Sequence, residues 1–248
     1  MIELDNTGPQ FLEAKELCKS LEGRMILNKI NLKVQQGTIV GLLGPNGAGK
    51  TTAFYSIAGL LKPDSGSITF LDQEITHLPA YKRARLGLGF LSQEPSIFKD
   101  LSVEQNLQAS LELQLDSRQI INQRIEEALS SLHLSHLRKK KALVLSGGER
   151  RRLEIARTLI HQPKFILLDE PFANVDPITI HDVQNMTLSL KSQGIGILIT
   201  DHNAREIFQI ADYCFLMSAG QVLAEGTPAE LVSNELVRER YLGKNFKF

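Results

Sequence analysis

The stretch that most limits how this chain can fold is "TIVGLL", Thr38–Leu43, running straight into "GPNGAGKT", Gly44–Thr51. A nearly unbroken apolar run is the pattern of a strand buried on both faces, and such strands belong to largely parallel sheets covered by helices. The loop that follows fits G-x-x-x-x-G-K-[ST], and it stands between a strand and a helix, the context that gives the motif its meaning. Gly44, Gly47 and Gly49, with Pro45, Asn46 and Ala48 between them, make a loop whose free N–H groups and following helix N-terminus face a phosphate. Lys50 would reach the β and γ oxygens. The Thr51 hydroxyl would bind Mg²⁺, with Thr52 beside it in the nucleotide site.

Other segments repeat the buried-strand pattern. "KFILLDEP" ends a strand on Asp169, placed to act on the shell of a bound Mg²⁺. Glu170 follows at the strand's C-terminal mouth, where α/β sheets take their ligands and a carboxylate can draw a proton from water. "GIGILIT" is a further strand, and "FLEAKELC" and "INLKV" alternate as half-exposed ones. "YCFLMSAGQVLAEGTP" reads as a hairpin turning at Gly220, and "TPAELV" and "NELVRERYL" as closing helices. From Ser102 to Lys141 the pattern is helical only. The fold class is therefore α/β, with a helical insertion.

Charge narrows the function. Lys and Arg balance Asp and Glu at 28 each, so no global basic field exists to hold a nucleic-acid backbone. The basic runs "KRAR" (82–85) and "RKKK" (138–141) read as solvated faces. Cys18 and Cys214 show no metal or disulfide spacing, and His133 and His136 lack a third ligand. No run reaches the ~18 apolar residues of a membrane span, and no basic-then-apolar leader is evident. These features point to the cytoplasm.

"LSGGE", Leu145–Glu149, poses a question. Ser146 and Glu149 have capping-box spacing, and Gly147 and Gly148 leave N–H groups uncovered at a second helix N-terminus. That suits either a well-capped helix or a second phosphate.

Taken together, the motifs resemble the nucleotide-binding subunits of ABC transporters, in order and over nearly the whole chain. Besides the phosphate loop and the aspartate strand, Gln93 in "GFLSQEPSIF" resembles that family's Q-loop. "LSGGE" resembles its signature, "ANVD" its D-loop, and His202 in "ITDHN" its switch histidine. The resemblance implies a P-loop NTPase fold of ABC type over 1–248. Its RecA-like, mostly parallel core would cover about 11–92 and 162–226, with an antiparallel β subdomain, a helical subdomain over about 94–161 and a helical tail over about 227–248. It implies ATP and Mg²⁺ as ligands and a homodimer in which Ser146, Gly147 and Gly148 cover the partner's γ-phosphate. Glu170, His202 and Gln93 would be catalytic, with Gln93 also at the metal. Leu21 stands where many members stack adenine on an aromatic ring. Asn174 stands where a small residue is commoner.

The connecting segments, with "YLGKNF" near the end, resemble ATPases of lipopolysaccharide export. Those of branched-chain amino-acid import come next, and soluble non-transport members of the family stay open. Two inner-membrane permease subunits would then be partners, and Ile97 and Phe98 would either dock them or pack within the helical subdomain. Neither nucleic acid nor the transported substrate would be touched, and the chain would sit on the cytoplasmic face of the inner membrane.

Overall fold

The structure, a computed structural model, describes residues 8–94, 96–112, 117–173, 175–243 and 246. Asn174 lies outside the described residues. Strands β1 (Phe11–Leu21), β2 (Arg24–Gln35), β4 (Ser65–Phe70) and β5 (Gln73–Glu74) form an antiparallel sheet in the order β2-β1-β4-β5. The second sheet runs β10-β9-β3-β8-β7-β6, from β3 (Ile39–Leu43), β6 (Leu88–Leu91), β7 (Phe165–Asp169), β8 (Gly196–Thr200), β9 (Tyr213–Ser218) and β10 (Gln221–Gly226). All its pairs are parallel except the β9–β10 hairpin. Every residue of β3, β7 and β8 is buried, as their apolar runs require.

The two-residue period of these strands divides their side chains between two cores. Phe165 and Leu167 face the antiparallel sheet and helix α1 (Lys50–Ala58). Ile166 and Leu168 face the helical side, with α3 (Val103–Leu111), α4 (Arg118–Ser131), α5 (Gly147–Leu159) and α6 (Pro177–Ser192). Leu153, Ala156 and Ile160 of the α5 segment pack inward there. Phe165 is fully buried, with its ring edge-on to Phe70 at 5.4 Å. Its removal to alanine would cost about 3–5 kcal/mol, since transfer and cavity losses add.

Because the central strands are parallel, their C-terminal ends share one edge of the sheet. Leu91, Leu168 and Ile199 are successive register partners near that edge, as are Leu42 and Thr200. The segments leaving β3, β6, β7 and β8 therefore emerge side by side, carrying the phosphate loop, Gln93, Glu170 and His202. No helix among the described residues is long and apolar enough to cross a membrane.

The short helix α2 (Ala80–Arg85) corrects the reading of "KRAR" as a solvated face. Arg83 is only 2% exposed and pairs with no carboxylate among the described residues. Its guanidinium donates to the carbonyls of Ser56 and Ile57 in the last turn of α1, and to those of Thr76 and Leu78. The Ser56 and Ile57 carbonyls lie at the C-terminal end of α1, where a cation is favourable. Burial pulls its pKa down to about 10.

Candidate functional site

The phosphate loop turns at Gly44 (φ 148°), where a Cβ would stand 2.4 Å from the Met217 carbonyl oxygen. Only glycine fits that combination of backbone angle and close approach. Pro45, Asn46 and Gly47 are exposed, while Ala48, Gly49 and Lys50 are buried. Helix α1 starts without a side-chain cap or an acid in its first turn, so its N-terminal N–H groups stay available to an anion. Thr51 is exposed and Thr52 half-buried at that same end.

Lys50 lies across the loop, its Nζ donating to the carbonyls of Gly44 (2.7 Å) and Pro45 (3.1 Å). Burial lowers its pKa, and the charges of Glu170, Asp169 and Asp201 oppose that shift. Asp169, 1% exposed, is pushed up to about 6, first by burial and then by the Glu170 charge, with Lys50 pulling the other way. A buried carboxylate so destabilised, electrostatically coupled to Lys50 and Glu170, suits a divalent cation that would complete its environment.

Glu170 is the hub. Its backbone is left-handed (φ 48°), an uncommon angle for a non-glycine residue, and its N–H is fixed to the Thr200 carbonyl at 2.8 Å. Gln93 Nε2 donates to Glu170 Oε2 at 2.6 Å, and His202 Nε2 lies 2.6 Å from Oε1. Three residues far apart in sequence thus meet on one carboxylate. Gln93 and His202 are exposed, whereas Glu170 is 9% exposed, so the carboxylate sits at the floor of an open mouth. A water held by such a group is set up to lose its proton.

Two further residues shape the mouth and carried no sequence signal of their own. Asp201 is buried and accepts the backbone N–H groups of Phe172 and Asn203, which joins the turn after β7 to the turn after β8. Burial raises its pKa. The Tyr241 hydroxyl, from the C-terminal segment, comes up against the Gly44 backbone, and burial pushes its pKa up to about 12.

Ser146, Gly147 and Gly148 stand elsewhere. Ser146 accepts from Glu149 N–H, and Glu149 accepts from Ser146 N–H at 2.8 Å, so the capping box is formed. Hydrogen bonds from the Ser146 backbone, then from its hydroxyl, hold the Glu149 carboxyl below its usual value. Among the described residues no hydrogen bond or ion pair ties 146–148 to the phosphate loop. A Cβ at Gly147 would meet nothing within 4 Å, and its φ is not positive. Nothing among the described residues therefore requires glycine there, although glycine costs a helix about 0.5–1 kcal/mol relative to alanine.

Leu21 is 39% exposed at the end of β1. The proposed docking pair divides. Ile97 is 8% exposed and belongs to the helical-side core, so for this residue ordinary subdomain packing replaces the docking role. Asn106, fully buried, draws the 98–102 segment inward through the Phe98 N–H and the carbonyls of Phe98, Leu101 and Ser102, which carries Ile97 in with it. Phe98 is 50% exposed beneath the Arg157 guanidinium. It stands beside a groove of about 340 Å³ walled by Leu60, Tyr81, Phe90 and Arg157. No group of three metal-ligating side chains occurs among the described residues, and Cys18 and Cys214 are both free.

Residues 27–173 match the family described as ABC transporter, and residues 221–247 match that of the branched-chain amino acid ATP-binding cassette transporter. An uncharacterized ABC transporter ATP-binding protein of Rhizobium meliloti (strain 1021) is 50% identical over 235 residues, covering 95% of this chain and 87% of its own length. The lipopolysaccharide export system ATP-binding protein LptB of Acidithiobacillus ferridurans is 48% identical over 238 residues, covering 96% and 99%. Among solved structures, the ADP conformation of MJ1267, an ATP-binding cassette of an ABC transporter, superposes with a TM-score of 0.85. It is 31% identical and covers 95% of this chain and 99% of that one.

Proposed function

This chain belongs to the ABC transporter family of ATP-hydrolysing cassettes, and from that we propose that it powers lipopolysaccharide export from the inner membrane. The observation that carries the catalytic half is the Glu170 carboxylate, held by Gln93 and His202 at 2.6 Å on either side, at the same sheet edge as the phosphate loop.

ATP binds with its phosphates along the backbone N–H groups of 44–52. Lys50 leaves the Gly44 and Pro45 carbonyls for the β and γ oxygens, a short move since it already spans the loop. Thr51, Asp169 and Gln93 would hold Mg²⁺, which when bound neutralises charge on the β and γ oxygens. Glu170 orients a water and takes one of its protons as the water oxygen bonds to the γ-phosphorus and the bond to the β-phosphate oxygen breaks. His202 donates toward the γ-phosphate and keeps the carboxylate aimed. A general base of this kind contributes ~10²–10⁴ in rate.

Gly147 supports the second-copy reading. A glycine with open space around it, in the first turn of a helix whose capping box engages the Ser146 and Glu149 N–H groups, leaves room for a close approach from outside. The γ-phosphate held by a partner's loop fills that role, so two copies enclose two ATP. Leu21 gives the base an aliphatic contact without stacking. Phe98 and its groove receive a short helix from each of two permeases, which places the chain on the cytoplasmic face of the inner membrane.

The cargo rests on relatives named for lipopolysaccharide export. A second reading, branched-chain amino-acid import, is favoured by the match over residues 221–247. Purifying the chain from its native membranes in detergent and identifying co-purifying proteins and lipids separates them. Two permeases with lipopolysaccharide are expected. Permeases with a periplasmic amino-acid-binding protein would replace export with import, and ribosomes or DNA without permeases would remove transport.

A further inference from the structure

The two basic runs end in different places. Arg83 of "KRAR" is the buried clamp, whereas in "RKKK" only Arg138 is satisfied, by Glu104 and Glu126 at 2.6 Å each. Lys139, Lys140 and Lys141 are exposed, and none enters an ion pair among the described residues. Nor is the segment a loose loop. Val103 N–H donates to the Lys140 carbonyl, Ala142 N–H to that of Leu101 and Leu143 N–H to that of Lys99, while Ser102 and Lys141 form an antiparallel bridge. The resulting ribbon displays Lys99 with the three lysines, and beside them Leu143 and Val144, 56% and 68% exposed.

Lys139 and Lys140 feel the charges of Glu104 and Glu149 without an ion pair to either, and Asp100 stands exposed beside Lys99, so the ridge joins four ammonium groups and two exposed aliphatics with only weak local compensation of its charge. None of the best-formed surface pockets among the described residues is lined by these side chains, and the ribbon offers them on an exposed ridge. The neighbouring aromatic, Phe98, lies beneath the Arg157 guanidinium, and the six exposed side chains of the ridge itself carry no ring on which bases could stack. Lysines with neighbouring aliphatics are the composition that adsorbs to an anionic bilayer, the ammonium groups on headgroup phosphates and the alkyl groups at the interface.

We infer that the Lys99 and Lys139–Val144 ridge binds anionic phospholipid headgroups directly, a membrane contact separate from permease docking. It rests on the transporter reading for the presence of a membrane, and on Phe98, next to Lys99, for the side that faces it. The chain thereby stays at the bilayer while permeases are engaged or released.

The test is sedimentation of the full chain, without nucleotide or permease, with vesicles of phosphatidylcholine alone or mixed with phosphatidylglycerol. Binding is expected to the mixed vesicles only and to fall with salt. The variant K139Q/K140Q/K141Q should weaken it about a hundredfold, from roughly a fivefold contribution per lysine, with ATP turnover in solution unchanged. L143S/V144S should also weaken it without removing its salt dependence. Equal binding to both vesicle types, or wild-type binding by the lysine variant, overturns the inference. So does a lysine variant that keeps vesicle binding but loses the permeases in detergent, since the ridge would then serve an acidic permease segment. Vesicle binding that holds while the native pull-down yields no permease would sink the transport reading and leave the lipid site standing.

Discussion

Replacing Asp169 with asparagine should stabilise the nucleotide-free chain at neutral pH while removing its ability to turn over ATP. Burial, then the neighbouring Glu170 charge, push this carboxyl from 3.8 up to about 6. An acid raised in the folded state keeps its proton through a window in which the unfolded chain has already released it. Its contribution is therefore full below about pH 4, falls as pH rises toward 6 and stays low above that. At 1.36 kcal/mol per pKa unit the ionised carboxylate costs the fold roughly 3 kcal/mol at pH 7. Asparagine removes that charge at similar volume. It also removes one of the three carboxylates that keep Lys50 protonated, ranked after Glu170, so a net gain of about 1–2 kcal/mol is expected. For a chain of this size that is a Tm rise of about 3–6 °C. Calorimetry in chelator reads it at pH 7, and near pH 4 the gain should vanish because the wild-type carboxyl is protonated there too. Adding Mg²⁺ and ATP should reverse the order, since ligand binding stabilises the wild type more. A variant less stable than wild type at pH 7 without nucleotide, or one equally stabilised near pH 4, would refute this reasoning.

Ser146→Arg should leave ATP binding by the single chain unchanged and block ATP-driven dimers, read by light scattering, because the larger side chain fills the space a partner's phosphate needs. Leu21→Tyr should tighten ATP binding by up to about tenfold by fluorescence titration, the worth of an added aromatic contact; no change would remove Leu21 from the base site. Arg83→Met should cost about 2–4 kcal/mol in urea denaturation by leaving buried carbonyls without donors, and a smaller loss would mean that water replaces the clamp.

Local features were the most legible. The phosphate loop announces itself by fixed spacing after a buried strand, and the Ser146–Glu149 box by its own four residues, because each feature is built by neighbours in sequence. The meeting of Gln93, Glu170 and His202 was not readable from spacing, since it depends on the parallel order β6-β7-β8; Glu170 is marked by its place at the mouth of a buried strand, whereas Gln93 and His202 are marked chiefly by family resemblance. Ile97 turned inward because buried Asn106 anchors the adjoining segment, a contact that no apolar pattern encodes. Arg83 looked solvated because charge alone was visible, whereas the carbonyls at the end of α1 were waiting for a donor. Tyr241 reaches Gly44 from the far end of the chain, and although "YLGKNF" carries a resemblance, no local pattern sets its hydroxyl at the phosphate loop.

The central claim is that the Glu170 carboxylate acts on water at a phosphate enclosed by two copies of the chain. The most direct measurement is Glu170→Gln with Mg²⁺ and ATP, following phosphate release and mass by light scattering in one sample. The account predicts turnover lowered by about 10²–10⁴, with ATP still bound and dimers accumulating. Near-normal turnover, or a monomer at saturating ATP, would contradict it.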